Sequence, residues 1–424
     1  MDVIILDKNL LPVLYVDQYK SVIWAKRYKE VGDCELYLPA SAEALAALQM
    51  GNYIARLDDD MVCRINYTEL TTDAEAGDYL TVKGIDTKGL LDQRVIWGTL
   101  NCGGNLEAFI AGMVDGALGS TAQADRVMLK QDGTQLVYQA DPQGFGEVST
   151  EQVSYANIGE KVREYCTKYG WGYRMTLDSG KLYFGLYAGA DRRDDVVFSD
   201  LYENIATTTF SEDETNLGNV ALVAGEGEGS DRTREQSGTG ASVDRYEVYV
   251  DAKDISRNIT YGELKDAFSG GTVITSHGQY YYRVLDLDVQ IVDAAHLQYL
   301  EDNYIGTIVT IGGVEYYEVA TARVAELPSS APADGDTVVL NDIVYTVYLL
   351  NRGYEKLAEY GAVTSFEGTI EPNGTFVYKE DYDLGDLVTV QSSYGVSEVV
   401  RIAEVVEVND DNGYRVEPSF ERVE

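Results

Sequence analysis

The chain has 424 residues, 45% hydrophobic and 25% charged, enough to fill the cores of about two to four domains of ordinary size. Asp and Glu number 71 against 33 Lys and Arg, a formal charge of −38. That balance excludes a broad surface for nucleic-acid phosphates or anionic lipid, whose affinity comes from clustered cations. The start, Met1-Asp2-Val3-Ile4-Ile5-Leu6-Asp7, carries an acid where a secretory signal needs bases. No run of about eighteen apolar residues occurs, so no transmembrane helix is expected.

The first hundred residues read as strands with one short helix. Residues 10–17 and 22–30 are strand candidates, followed by Cys34-Glu35-Leu36-Tyr37-Leu38-Pro39. Ser41 caps a helix from Ala42 to Met50, which Gly51 ends. Met61, Cys63, Ile65 and Tyr67 alternate with polar residues, and Tyr79 to Lys83 follows a turn at Ala76-Gly77-Asp78. Short strands at this spacing fit an antiparallel barrel or sandwich. Between 90 and 200 the pattern is mixed. Asn105 caps a helix through Gly112, and Ile158, Val162, Cys166 and Tyr169 mark a second helix that Gly170 stops. Trp171 to Leu177 and Lys181 to Tyr187 form a hairpin around Asp178-Ser179-Gly180.

Strand character resumes with Val196-Val197-Phe198, then Thr207 to Phe210, Asn219 to Ala224 and Arg245 to Asp251, with 225–243 reading as a loop. The last sixty residues are strongly β: Phe366 to Ile370, Phe376 to Tyr378, Leu387 to Gln391 and Val396 to Val408. Pro372-Asn373-Gly374 and Asp411-Asn412-Gly413 are hairpin turns, because Asn-Gly accepts positive φ at little cost. Residues 271–282, 306–319 and 335–348 share a Gly, a Thr/Val/Ile strand, a turn and a Tyr-rich strand, a weak repeat of three hairpins. The span 269–350 therefore reads as an inserted, Tyr-rich β module.

Catalytic chemistry finds little to stand on. The only histidines, His277 and His296, lie within the insert and read as solvated surface, so Ser-His, Cys-His and HExxH arrangements fail elsewhere. Gly225-Glu226-Gly227-Glu228-Gly229 resembles a phosphate loop, but Glu226 and Glu228 would repel the anion, and a connector is the better reading. Asp58-Asp59-Asp60 and Asn409-Asp410-Asp411-Asn412-Gly413 raise calcium, yet Val408 occupies the first ligand position of the second run and both read as turns. Cys34, Cys63, Cys102 and Cys166 have no CxxC pairing and read as reduced structural thiols. No catalytic, cofactor-binding or metal-binding residue is nominated. The tyrosines of the insert either pack a small sheet or bind saccharide.

The ordered segments resemble a known family. Ile23-Trp24-Ala25-Lys26-Arg27-Tyr28 with Gly32-Asp33-Cys34-Glu35-Leu36-Tyr37-Leu38-Pro39 is similar to the opening of the phage tail hub (baseplate hub, tail-associated) proteins of siphoviruses of Gram-positive hosts and related prophages. The resemblance continues through Asp78-Tyr79-Leu80-Thr81-Val82, Asn219 to Gly227, Tyr249 to Ser256, Gly353 to Glu359, Leu384 to Val390 and Tyr414 to Phe420. It departs at 269–350. The resemblance implies a mainly β protein with α+β parts: a β-barrel hub domain over 1–95, an α+β domain over 96–200, and a second β-barrel hub domain over 201–268 and 351–424. The inserted β-hairpin module over 269–350 completes that plan.

It also implies a non-enzymatic structural virion protein, made in the host bacterial cytoplasm. That protein would be a homotrimer at the distal end of the tail, joining tail tube and distal tail protein to tip, spike or receptor-binding proteins and gating genome passage. Neither sequence-specific nucleic-acid binding nor membrane insertion is expected, and no cofactor. The alternative is a carbohydrate-binding or glycan-hydrolysing host-recognition adhesin that uses the Tyr-rich insert.

Overall fold

The N-terminal strands are β1 (Val3–Leu6), β2 (Pro12–Val16), β3 (Ser21–Arg27), β4 (Asp33–Pro39), β5 (Tyr53–Arg56), β6 (Val62–Thr71) and β7 (Tyr79–Asp86), with burial alternating along β4 and β7. The computed structural model describes residues 1–73, 77–202, 204–291, 294–311, 314–361, 363–370, 375–391, 395 and 397–423. In β4, Cys34, Leu36 and Leu38 point inward, as a half-buried strand requires. β1 is buried on both faces: Val3 and Ile5 join one core, Ile4 and Leu6 another. Between β4 and β5 lies α1 (Ala42–Ala47), whose Ser41 cap accepts from the Ala44 N–H.

The middle region holds β8 (Thr99–Asn105), α2 (Leu106–Leu118), β9 (Val137–Gln139), β10 (Val148–Ser154), α3 (Ile158–Tyr169), β11 (Gly172–Asp178) and β12 (Lys181–Tyr187). Asn105 caps α2, which runs six residues past the expected Gly112 because Met113, Val114, Ala117 and Leu118 bury one face. Asn157 caps α3, and Gly170 ends it at φ 67°, the left-handed conformation a glycine adopts most readily. The hairpin at Ser179-Gly180 is as expected, with β9 added parallel to β12.

Next come β13 (Val197–Ser199), β14 (Ile205–Asp213), β15 (Val220–Ala224), β16 (Arg234–Gly238), β17 (Glu247–Asp251), β18 (Asn258–Thr260) and α4 (Tyr261–Ala267). The expected loop 225–243 thus contains strand β16, paired with β15; its polar sequence Arg-Glu-Gln-Ser-Gly hid it. The chain continues through β19 (Thr272–Ser276), β20 (Gln279–Gln290), α5 (Ala294–Asn303), β21 (Gly306–Ile311), β22 (Val314–Leu327), β23 (Thr337–Leu340) and α6 (Asp342–Ala358). Two of the three expected hairpins form, β19–β20 and β21–β22. The third does not. After β23, Asn341 accepts from the Val344 N–H and starts α6, which buries Ile343, Val344, Tyr345, Val347 and Tyr348.

The chain ends with β24 (Val363–Ile370), β25 (Leu387–Gln391), β26 (Ser397–Asp410) and β27 (Gly413–Arg422). Phe376 to Tyr378 is not a strand; Tyr378 makes only an isolated bridge to Tyr382. Ala76 and Pro372-Asn373-Gly374, expected in turns, lie outside the described residues. The turn at Asp411-Asn412 joins β26 to β27 as expected.

The fold is mainly β with α+β parts. Closed barrels are not found among the described residues. Instead β26 pairs antiparallel with β3, Glu404 opposite Arg27 through Asp410 opposite Ser21. One sheet of 13 strands results, its main path β14-β24-β27-β26-β3-β4-β7-β6-β5-β1-β2. Along that path β2 and β14 are the outermost strands. A six-stranded sheet gathers β18 to β23, and α6 packs on the small β16-β15-β17 sheet. No described helix is long and apolar enough to cross a membrane.

Candidate functional site

Residues distant in sequence meet at two seams, and scarce cations occupy both. At the first, Arg56 on β5 is buried with Glu407 of β26, Nη1 and Nη2 donating to the two carboxylate oxygens at 2.9 and 3.1 Å. The same guanidinium donates to Asp58 at 3.0 and 2.6 Å and lies 5.5 Å above the Trp24 ring. Tyr414 adds its hydroxyl to Glu407 at 2.7 Å. Asp59, wholly buried, accepts from Lys26 at 3.2 Å, Lys379 at 2.6 Å, the Trp24 indole at 3.3 Å and the Met61 N–H at 2.9 Å. Burial opposes its charge, but Lys26 and then Lys379 override that and hold the carboxyl at about 2.

A cleft of about 470 Å³ opens beside this seam. Five cations (Lys26, Arg27, Lys88, Arg174, Lys379) face five carboxylates (Asp58, Asp59, Asp60, Asp86, Asp383) around it. The cleft lining therefore carries no formal net charge. Lys88 is buried, donates to the Arg27 carbonyl at 2.6 Å and lies 4.7 Å over the Tyr173 ring. Burial pushes its pKa down and that of neighbouring Asp86 up.

The second seam joins α3, β10 and α6. Lys161 donates to Glu355 at 2.9 Å and also bonds Glu164. Lys168 pairs with Glu151 at 3.2 Å, and the Ser149 hydroxyl donates to the same carboxylate at 2.9 Å. Arg352 grips Asp254 through both terminal nitrogens at 3.0 Å. Burial, then the Glu355 charge, raises Glu151 to about 7. Glu355 moves the opposite way, to about 2, because Lys161 and Lys168 outweigh its burial. These groups hold helix to strand.

The residues weighed from sequence fall as follows. Asp58-Asp59-Asp60 is a turn, and its carboxylates hold Arg56, Lys26 and Lys379 rather than forming a cation cage. Asn409 to Gly413 ends β26, with Asp410 accepting from Arg415 at 2.8 Å. Gly225 to Gly229 belongs to an ordered hairpin connection, where the Glu226 N–H donates to the Tyr345 hydroxyl at 2.7 Å and a Cβ on Gly225 would stand 2.4 Å from that oxygen. His277 sits at an exposed hairpin tip. His296, expected at the surface, is buried in α5. All four cysteines are free, buried thiols. Among the described residues no three His, Cys, Asp or Glu side chains gather as a metal site does. In the insert, Tyr282, Tyr316 and Tyr317 are buried, so strand packing accounts for them.

The seams themselves were missed, because a single sequence carries no signal that pairs Arg56 with a partner 351 residues away.

The solved structure of the prophage MuSo2 43 kDa tail protein from Shewanella oneidensis aligns over 100% of this chain and 98% of its own, with a TM-score of 0.51 at 9% identity, and so shares the fold. The tail protein of Neisseria meningitidis MC58 (10% identity, 99% and 96% coverage, TM-score 0.49) and prophage tail protein gp18 of Listeria monocytogenes EGD-e (10%, 99% and 94%, 0.47) also align along their lengths. No curated protein matches the chain. The family model for the siphovirus ReqiPepy6 Gp37-like protein matches residues 2–341 and 336–420, and the chain belongs to that phage tail protein family.

Proposed function

We propose that this chain is a non-enzymatic hub at the distal end of a long phage tail. In this reading three copies form a ring that joins the tail tube and distal tail protein to tip components and gates genome passage. The observation that carries it is the open 13-stranded sheet, in which β26–β3 pairing fuses the two ends of the chain and leaves β2, β14 and, on the branch through β25, β13 as outermost strands. An open sheet with unpaired outer strands is the kind of unit that a cyclic assembly completes.

The charge distribution fits the same role. Buried seams hold Lys26, Arg56, Lys161 and Lys168 against carboxylates, so the excess of acids falls on the remaining surface. An acid-rich bore would repel DNA phosphates and let the genome slide. The adhesin reading loses its main support, since the central tyrosines of the insert are buried. Antibody labelling of tails from the encoding phage tests the assignment by electron microscopy. Label at the distal tail end supports the hub; label along the tube, or on lateral fibres, contradicts it.

A further inference from the structure

Ahead of β8 and after β10 the chain makes a short extra ladder. The Ile96 N–H donates to Ala156 O at 2.8 Å, the Ile158 N–H donates to Arg94 O at 3.0 Å, and Val95 bridges Asn157. This register sets Trp97 opposite Tyr155, whereas β8 and β10 pair Thr99 with Ser154, so the register slips by one residue between them. The slip falls at Gly98 (φ 93°) and Tyr155 (φ 52°), and a bulge of this kind re-aims side chains. Trp97 is 59% exposed and Tyr155 is 74% exposed. A tyrosine held in the left-handed region, with its ring in water, gains nothing visible from its own fold.

Two cations border the aromatics. Arg126, itself only 9% exposed, lies 4.7 Å over the Trp97 ring and donates to the Val95 carbonyl at 2.5 Å, so half-buried Arg94 is the cation the patch presents. Arg94 donates to the carbonyls of Gln93 at 3.2 Å and Arg126 at 3.4 Å. Among the described residues neither guanidinium has a carboxylate as a bonded partner, in a chain where acids outnumber bases 71 to 33. The exposed pair Leu222 and Tyr249 differs: its Arg232 is already paired with Asp251.

We propose that this patch is where a second copy of the chain docks, covering Trp97 and Tyr155 and setting its carboxylates against Arg94. Copies that each carry −38 repel one another, so contact is favoured where a cation without a bonded carboxylate coincides with desolvable aromatics. Trp, Tyr and Arg are also the residues that dominate interface energetics. The inference rests on the self-assembly proposed above.

The test is sedimentation of the full chain and of Trp97→Ala, Arg94→Glu and Tyr155→Gly across a concentration series, with a melting curve for each. Each variant is expected to weaken self-association about tenfold or more. Tyr155→Gly, freed of the left-handed constraint, is expected to melt no lower than wild type when compared as monomers. Variants that assemble like wild type overturn this docking site and leave the assembly reading intact. A wild type that stays monomeric overturns both, and a Tyr155→Gly protein that loses assembly only by unfolding also overturns the site.

Discussion

Glu151→Gln probes the second seam most sharply. Glu151 and Glu355 are both buried, each held by a lysine, and their environments push the two carboxyls apart to about 7 and about 2. Such a pair shares one proton across the interval between those values. For Glu151 the folded value lies above the ordinary 4.5, so the folded protein keeps a proton that the unfolded chain has released. Its contribution to stability is therefore intact below 4.5 and is lost as pH rises toward about 7. The full span corresponds to about 3 kcal/mol. Glu355 has the opposite sign, adding stability as pH rises from about 2 to 4.5. Glutamine keeps the shape of the protonated acid and cannot titrate. Urea unfolding between about pH 5 and about pH 8, followed by the fluorescence of Trp171 and its stacked neighbours Phe145 and Tyr169, measures the difference. Wild type should lose up to about 3 kcal/mol relative to Glu151→Gln over that window. Parallel pH profiles would refute a shared proton at this seam.

Other outcomes follow from the same geometry. Arg56→Met alone leaves the buried Glu407 carboxylate to the Tyr414 hydroxyl and to Lys379 at 3.7 Å and should cost up to about 3–5 kcal/mol by denaturant titration, whereas Arg56→Met with Glu407→Leu should recover most of it. Asp59 has a folded pKa below its ordinary 3.8, so its stabilisation is full above that value and disappears as pH falls toward about 2. Asp59→Asn should flatten that part of an acid-unfolding curve. Gly170→Ala should lower stability by about 1 kcal/mol, because φ 67° strains any Cβ while the space around it is open to 3.5 Å, and Gly170→Asn should lose less.

What could be read in the sequence was local. Ser41, Asn105 and Asn157 each cap the helix that follows, and Ser179-Gly180 and Asp411-Asn412 turn the hairpins they suggest, because caps and turns depend on a few adjacent residues. Helix α6 escaped for a physical reason. Its first turns, Ile343 to Leu350, are rich in β-branched and aromatic residues that suit a strand as well as a helix, and packing against the β15–β16–β17 sheet, β10 and α3 decides the helix. The joining of β3 to β26, and the pairing of Arg56 with Glu407, depend on residues nearly a chain length apart. Those contacts decide that two expected barrels become one open sheet. The ordered family segments were legible, and they led to the correct family without any site motif.

The net charge argues against a broad nucleic-acid or anionic-lipid surface, and the hub account turns on whether copies so strongly charged nevertheless assemble. Native mass spectrometry of the purified chain, with negative-stain images of the same sample, tests this directly. The account predicts rings and a species of three times 46.8 kDa, about 140 kDa. A single 46.8 kDa species at every concentration, without rings, would contradict it.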